Sequence, residues 1–185
     1  MEYGRLGSSG LLVSRIGLGT NNFGARIDLD RTRAVIDRAL DLGITLIDTA
    51  DMYGAGKSEE FIGQSLGKRR HEVIIATKFA VPMGESPYMR GTSRRYIVEA
   101  VERSLRRLKT DYIDLYQFHK PDPETPIVES LQATDDLVRQ GKVRYIGHSN
   151  FAAWQIVDAQ WTARTEHLAR PISAQHEYSL LEREG

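Results

Sequence analysis

The sequence lacks three features that would each point to a particular class of protein. It contains no cysteine among its 185 residues, which excludes disulfides, thiolate metal ligands and a cysteine nucleophile. Lysine plus arginine equals aspartate plus glutamate at 25 each, so the charge does not point to nucleic acid or a membrane surface. No apolar run approaches the length of a membrane span or follows a basic start. We therefore expect a cytoplasmic protein.

The composition is that of an ordinary globular domain. Hydrophobic residues make up 41% of the chain and charged residues 27%, which is enough to bury a substantial core. We therefore expect one domain over residues 1–185.

Short β-rich runs alternate with helical patterns along the chain. The runs are 16–20, 45–48, 73–78, 112–119, 143–149 and 172–178. The predicted helices run from Asp28 or Asp30 to Gly43, from an N-cap at Ser58 to Gly67, from Thr92 or Ser93 to Leu108, from Thr125 as cap and Pro126 as first residue to Gly141, and onward from Asn150. The runs are apolar on both sides, which predicts a parallel sheet covered by helices. Residues 3–14 predict a hairpin that plugs one end of a barrel.

The spacing of the strand ends is that of a repeated β/α unit. Taking the ends as Thr20, Asp48, Lys78, His119, Ser149 and Gln175 gives steps of 28, 30, 41, 30 and 26 residues. The long step contains the loop 79–93, which we expect to border a substrate pocket. A closed (β/α)8 TIM barrel needs about 250 residues. The sequence thus predicts only the first six units, incomplete at the C-terminus, with two open edges able to pair with another copy.

Six segments carry a family resemblance. They are IGLGTNNFG (16–24), LIDTADMYGAGKSEEFIG (46–63), IIATKF (74–79), YIDLYQFHKPDP (112–123), YIGHSN (145–150) and AQHEYSLLERE (174–184). In order and spacing they resemble the aldo-keto reductases along essentially the whole chain. The resemblance implies an oxidoreductase that transfers a hydride from NADPH to the carbonyl of an aldehyde or ketone.

The same resemblance maps a catalytic tetrad onto Asp48, Tyr53, Lys78 and His119. Each alone has a simpler structural explanation, as a turn cap, a surface ring, a snorkelling amine or a hydrogen-bonded imidazole. Together they suit carbonyl reduction, which needs a proton donor for the developing alkoxide. An unperturbed tyrosine has a pKa of about 10, so we expect Lys78 to lower the pKa of Tyr53 and Asp48 to hold Lys78 in place. His119 would orient the carbonyl or share the proton.

A metal site is the rival explanation for Asp48 and His119. No close-spaced set of His, Cys or carboxylate ligands accompanies them in the sequence, so we predict no metal. No catalytic role is predicted for the other four histidines, which are His71, His148, His167 and His176.

The resemblance also implies which residues contact the cofactor, NADP(H). They are Gly19, Thr20, Asn21, Asp48, Ser149, Asn150 and Gln175. Ser149, Asn150 and Gln175 would bind the nicotinamide carboxamide, and their side chains offer both donors and acceptors. Ser149 and Asn150 also suit a helix N-cap, and both roles can hold at once. The family's contacts to the cofactor phosphates lie after its seventh and eighth strands, so the sequence does not decide between NADP and NAD.

Two alternatives to an active reductase remain open. One is a truncated, catalytically silent protein that acts as an interaction or self-associating module through its open edges. The other is a fragment of a longer gene product. If the protein is an active reductase, its partner is a small-molecule carbonyl substrate, which the sequence does not identify.

Overall fold

The fold is described from a computed structural model, which describes residues 1–183. Glu184 and Gly185, at the end of the predicted domain 1–185 and of the segment 174–184, lie outside the described residues. The strands are β1 (Tyr3–Arg5), β2 (Leu12–Ser14), β3 (Gly17–Gly19), β4 (Leu46–Asp48), β5 (Ile74–Phe79), β6 (Ile113–Phe118), β7 (Val143–Ser149) and β8 (Ala174–Gln175). The helices are α1 (Leu29–Asp41), α2 (Lys57–Leu66), α3 (Arg94–Leu108), α4 (Ile127–Arg139) and α5 (Ala153–Thr165).

Strands β3 to β8 form one parallel sheet in sequence order, with a helix after each strand from β3 to β7. This confirms the predicted partial (β/α)8 barrel, in which a curled sheet carries its helices on the outer side. The core lies between the sheet and the helices and includes Ile75, Phe79, Tyr116 and Ile97. The alternate residues of each strand, such as Asp48 in β4, face the inside of the curl. Strand ends on one side of the sheet therefore share a single face.

The N-terminal hairpin lies across the amino ends of the strands. The Ser14 hydroxyl oxygen accepts hydrogen bonds from the backbone N–H groups of Thr45 (3.0 Å) and Leu46 (3.1 Å), just at the start of β4. At the tip, Gly7 adopts a φ of 58°, and a Cβ there would lie 2.2 Å from the carbonyl oxygen of Ile172. The hairpin thus bridges the start of β4 and the segment before β8, and it covers this end of the curl as the sequence predicted.

The helix starts were predicted with mixed success. Asp28 caps α1 by accepting from the backbone N–H of Arg31 (2.9 Å), and Ser93 caps α3 by accepting from that of Tyr96 (3.4 Å). These bonds decide between the two candidates that the sequence offered for each helix.

Three predicted caps were wrong: the hydroxyl groups of Ser58 and Thr125 bond elsewhere, and α5 has Ala152 as its cap, not Ser149 or Asn150. α2 begins at Lys57 after Gly56, and the buried Ser58 hydroxyl instead bonds the Thr20 carbonyl at 3.0 Å. α4 begins at Ile127 with Pro126 as its cap, and the Thr125 hydroxyl donates to Asp122 Oδ2 at 2.8 Å.

The last predicted strand, 172–178, is also wrong in extent. Only Ala174 and Gln175 pair, and they pair with β7. The other predicted strands match the observed bounds to within one residue at either end. Within residues 1–183, no helix is both long enough and apolar enough to cross a membrane.

Candidate active site

Lys78 and Asp48 form the centre of the candidate site, at the carboxyl ends of β5 and β4. Lys78 is only 2% exposed. Its Nζ lies 2.7 Å from Asp48 Oδ1, 2.8 Å from Oδ2 and 3.0 Å from the carbonyl oxygen of Thr49. An ammonium group has three protons, and these contacts engage all of them. Lys78 is therefore held in one position and donates to no other group.

Tyr53 opens a tight turn, Tyr53–Gly56, directly after β4. Its backbone N–H donates to the carbonyl of Ala50 (3.2 Å). The half-buried ring lies with its centroid 5.3 Å from Lys78 Nζ. It also meets the His119 ring edge to face, with centroids 6.0 Å apart. The structure thus brings all four predicted catalytic residues onto one face.

The expected effect of Lys78 on Tyr53 is not what the structure supports. Burial, followed by the negative charge of Asp48, raises the pKa of Tyr53 above its ordinary value. The predicted net lowering of this pKa was wrong, because burial and the Asp48 carboxylate, which pairs with Lys78, outweigh the attraction of the Lys78 ammonium for a tyrosinate. The hydroxyl of Tyr53 therefore remains protonated at neutral pH, which is the form that can give a proton away.

His119 is neutral at physiological pH. Burial, and then the nearby charge of Lys78, lowers its pKa to about 4. Its backbone is fixed on both sides, since its N–H donates to the Phe79 carbonyl (2.9 Å) and its carbonyl accepts from Asn150 Nδ2 (2.8 Å). Its Nδ1 is buried without a hydrogen-bond partner among the described residues. Because Nδ1 is buried, the opposite ring nitrogen, Nε2, is the one that a substrate oxygen could reach.

Ser149, Asn150 and Gln175 retain the hydrogen-bonding groups that an amide ligand needs. Asn150 donates both amide protons, to Ser149 Oγ (3.0 Å) and His119 O (2.8 Å), so its Oδ1 is still able to accept. The Ser149 hydroxyl accepts that bond and keeps its own proton. Gln175 donates one proton to Asp48 Oδ2 (3.2 Å) and keeps the other. Two donors and an acceptor thus match a primary carboxamide such as that of nicotinamide.

The remaining cofactor candidates occupy different positions. Gly19 and Asp48 line a groove of about 530 Å³ inside the curled sheet, and a Cβ at Gly19 would meet nothing within 4 Å. Asn21 is exposed. Thr20 is buried, and its hydroxyl already donates to the Asp48 carbonyl (2.9 Å) and bonds Ser58 (3.0 Å). Its side chain supports the end of β4 and does not line the groove.

Sequence reasoning missed two residues beside this site. Gln117 is buried, pairs in register with Lys78 and donates its amide to Gln175 Oε1 (3.1 Å). The sequence did contain a signal for it, because Gln117 is a polar residue within an apolar strand and lies at the position that pairs with Lys78. Asp51 is buried between Asp48 and Tyr53 on the helix side of the sheet. The described residues contain no cluster of metal-ligating side chains.

Comparison with known proteins identifies the family to which this fold belongs. The model of the Aldo/keto reductase family matches residues 15–185. The chain is 46% identical to the uncharacterized oxidoreductase YrpG and 43% identical to the aldo-keto reductase YhdN, both of Bacillus subtilis (strain 168), over 99% and 100% of this chain. It is 37% identical, over 99% of this chain, to a probable voltage-gated potassium channel subunit beta of Oryza sativa subsp. japonica.

The chain belongs to the aldo/keto reductase family. It spans 60%, 56% and 57% of the lengths of these three relatives, in the same order. The resemblance read from the six sequence segments is thus confirmed at the level of the family.

Proposed function

We propose that the protein is a reductase that transfers a hydride from NADPH to the carbonyl carbon of an aldehyde or ketone, with Tyr53 as the general acid. The observation that supports this most strongly is the convergence of a protonated tyrosine, a locked lysine and a neutral histidine at one set of strand ends. Bound NADPH would supply the hydride. The residues of this chain would bind it, orient the carbonyl and deliver the proton.

The proton transfer places the largest demand on the site. As the carbonyl oxygen gains negative charge, Tyr53 gives its hydroxyl proton to that oxygen and becomes a tyrosinate. The fixed positive charge of Lys78, 5.3 Å from the ring centroid, stabilises the tyrosinate more than it stabilises the neutral phenol. That difference favours the transition state over the ground state. His119 donates a hydrogen bond to the same oxygen and aligns it with the hydroxyl of Tyr53.

The nicotinamide carboxamide would bind to Ser149, Asn150 and Gln175. The free Ser149 hydroxyl proton and Gln175 amide proton would donate to its oxygen, and Asn150 Oδ1 would accept from its NH₂ group. Preference for NADP(H) over NAD(H) is proposed from the family resemblance alone. The cytoplasmic location expected from the sequence stays a prediction.

The test compares Tyr53→Phe with the unaltered protein. We expect the loss of the phenolic proton to lower kcat for NADPH-dependent reduction of a panel of aldehydes and ketones by about 10²- to 10⁴-fold. NADPH affinity, measured by nicotinamide fluorescence, should not change, because the ring that packs beside the site is retained. The control is Tyr112→Phe, which removes a hydroxyl from the residue before β6 and should leave both values unchanged. Full turnover by Tyr53→Phe would refute the assignment.

A second candidate function is a reductase-like protein that binds another protein or a second copy. It is favoured by the relative that carries the name of a channel subunit and by the outer edges of β3 and β8, which pair with no other strand among the described residues. NADPH titration separates the two candidates. Saturable binding with turnover supports the reductase, whereas self-association or partner capture without NADPH binding supports the second.

A further inference from the structure

Asp51 is a buried acid without a partner, placed between two residues of the candidate site. It is 1% exposed. Neither of its carboxylate oxygens makes a hydrogen bond of good geometry within the described residues, although the nearby backbone N–H of Met52 favours the charged form. A buried polar group in that condition is costly unless it is uncharged, and native structures retain such groups rarely. The position of Asp51 therefore needs an explanation.

The backbone around Asp51 fixes Tyr53. After β4 ends, the N–H of Thr49 donates to the Ala76 carbonyl (2.8 Å) and that of Asp51 donates to the Lys78 carbonyl (3.0 Å). Tyr53 then turns back, with its N–H on the Ala50 carbonyl. The chain between Asp48 and Tyr53 is thus tied to β5 at Asp51. Any movement of Asp51 displaces the turn that carries the Tyr53 hydroxyl.

Within residues 1–183, the surroundings of Asp51 contain no cation that is free to pair with it. α2 contributes Glu59, β6 contributes Tyr116, and α3 contributes Tyr96 and Arg107. Arg107 Nε already donates to Glu59 Oε2 at 2.7 Å. The two other charged groups that act on Tyr96 are Arg103 and Glu99, which contact each other. A charge on Asp51 would therefore lie near one carboxylate, two phenols and an arginine that is already paired with Glu59.

We propose that Asp51 is a positioning residue for Tyr53, whose side chain must be uncharged for the segment 48–53 to hold Tyr53 against Lys78 and His119. The consequence is a built-in alkaline limit. When Asp51 loses its proton, the charged carboxylate moves toward water, the bond between its N–H and the Lys78 carbonyl opens, and Tyr53 leaves its position. This proposal rests on the proposed function only for its effect on turnover.

The pH range follows from the same surroundings. Burial, followed by the charge of Glu59, raises the pKa of Asp51 to about 8. The charged fraction then rises from about a tenth at pH 7 to about nine tenths at pH 9. The effect on Tyr53 should appear over this interval.

The test measures hydrogen exchange of peptides that cover residues 49–53 at pH 7 and pH 9, in the unaltered protein, in Asp51→Asn and in Asp41→Asn. Asparagine keeps the shape and removes the titration, whereas Asp41 is exposed at the end of α1 and serves as the control. We expect residues 49–53 of the unaltered protein and of Asp41→Asn to exchange faster at pH 9, beyond the rise that base catalysis gives to all amides. Asp51→Asn should lack this excess.

Absence of the excess in the unaltered protein, or an equal excess in Asp51→Asn, would overturn the proposal. The first of these measurements does not depend on whether the variant folds. In parallel, the alkaline limb of the kcat profile should move to higher pH in Asp51→Asn, and an unmoved limb would also count against the proposal. A chain with no NADPH-dependent turnover would contradict the proposed function, and the exchange measurement would still decide the role of Asp51.

Discussion

Replacing Arg107 by methionine should destabilise the fold strongly, because it leaves a buried carboxylate without its cation. Glu59 is fully buried and Arg107 is only 17% exposed at its side chain. Glu59 Oε2 accepts from Arg107 Nε at 2.7 Å, and Oε1 accepts from the Thr77 hydroxyl at 2.6 Å. Methionine has about the length of the arginine stem, so packing against α2 is largely kept. The main change is therefore electrostatic.

The size of the effect can be worked out from this burial. Removing one partner of a buried ion pair costs about 3–5 kcal/mol, because the remaining charge is left uncompensated. In a chain of roughly this length, 1 kcal/mol shifts Tm by about 2–4 °C. The free energy of unfolding of Arg107→Met should thus fall by about 3–5 kcal/mol and its Tm by about 6–20 °C.

Urea denaturation followed by circular dichroism measures this change, and two further variants isolate its cause. The double variant Glu59→Gln with Arg107→Met should be more stable than Arg107→Met alone, since a neutral amide still accepts from Thr77 and leaves no buried charge. Arg106→Met, on the exposed face of the same helix, should change stability by less than about 0.5 kcal/mol. A loss below about 1 kcal/mol in Arg107→Met, or a double variant no more stable than it, would refute this reasoning.

Two further changes test the site and the loop beside it. Lys78→Met should raise the pKa of His119 from about 4, because a nearby positive charge is lost, but not to its ordinary value, because burial is the larger cause and is retained; an imidazole titration by NMR that shows no rise would contradict this. Asp122→Ala should speed tryptic cleavage at the exposed Arg90, because Asp122 Oδ2 ties Thr92 N–H (2.8 Å) at the end of the loop 79–93 to the next strand-end loop; unchanged cleavage would show that the loop is held by other contacts.

Local sequence rules succeeded where a structural feature depends on neighbours along the chain. Asp28 and Ser93 cap helices as predicted, since a cap hydrogen-bonds a backbone group three residues away. The same rule failed for Ser58 and Thr125. The Ser58 hydroxyl bonds Thr20, 38 residues away, which no local pattern records. The Thr125 hydroxyl bonds Asp122, three residues back, so there a competing local acceptor displaced the cap.

The electrostatics of the site were beyond the reach of the sequence. Motif spacing placed Lys78 and Tyr53 together, but the sign of the Tyr53 pKa shift depends first on burial and then on the Asp48 charge. Only the folded arrangement shows that the Tyr53 ring is half-buried and that Asp48 and the Thr49 carbonyl accept the three Lys78 protons. Sequence reasoning missed Gln117 for a related reason, because its hydrogen bond to Gln175 joins residues 58 positions apart.

The sequence by itself determined the alternation of strands and helices, the family and the strand ends at which the candidate catalytic residues lie. It could do so because strand periodicity, turn chemistry and motif spacing are encoded over a few residues at a time. Tertiary structure alone decided which protons and charges meet, including the protonated Tyr53, the neutral His119 and the unpaired Asp51. Those properties depend on burial and on distances of a few ångströms between residues far apart in the chain, which no local pattern records.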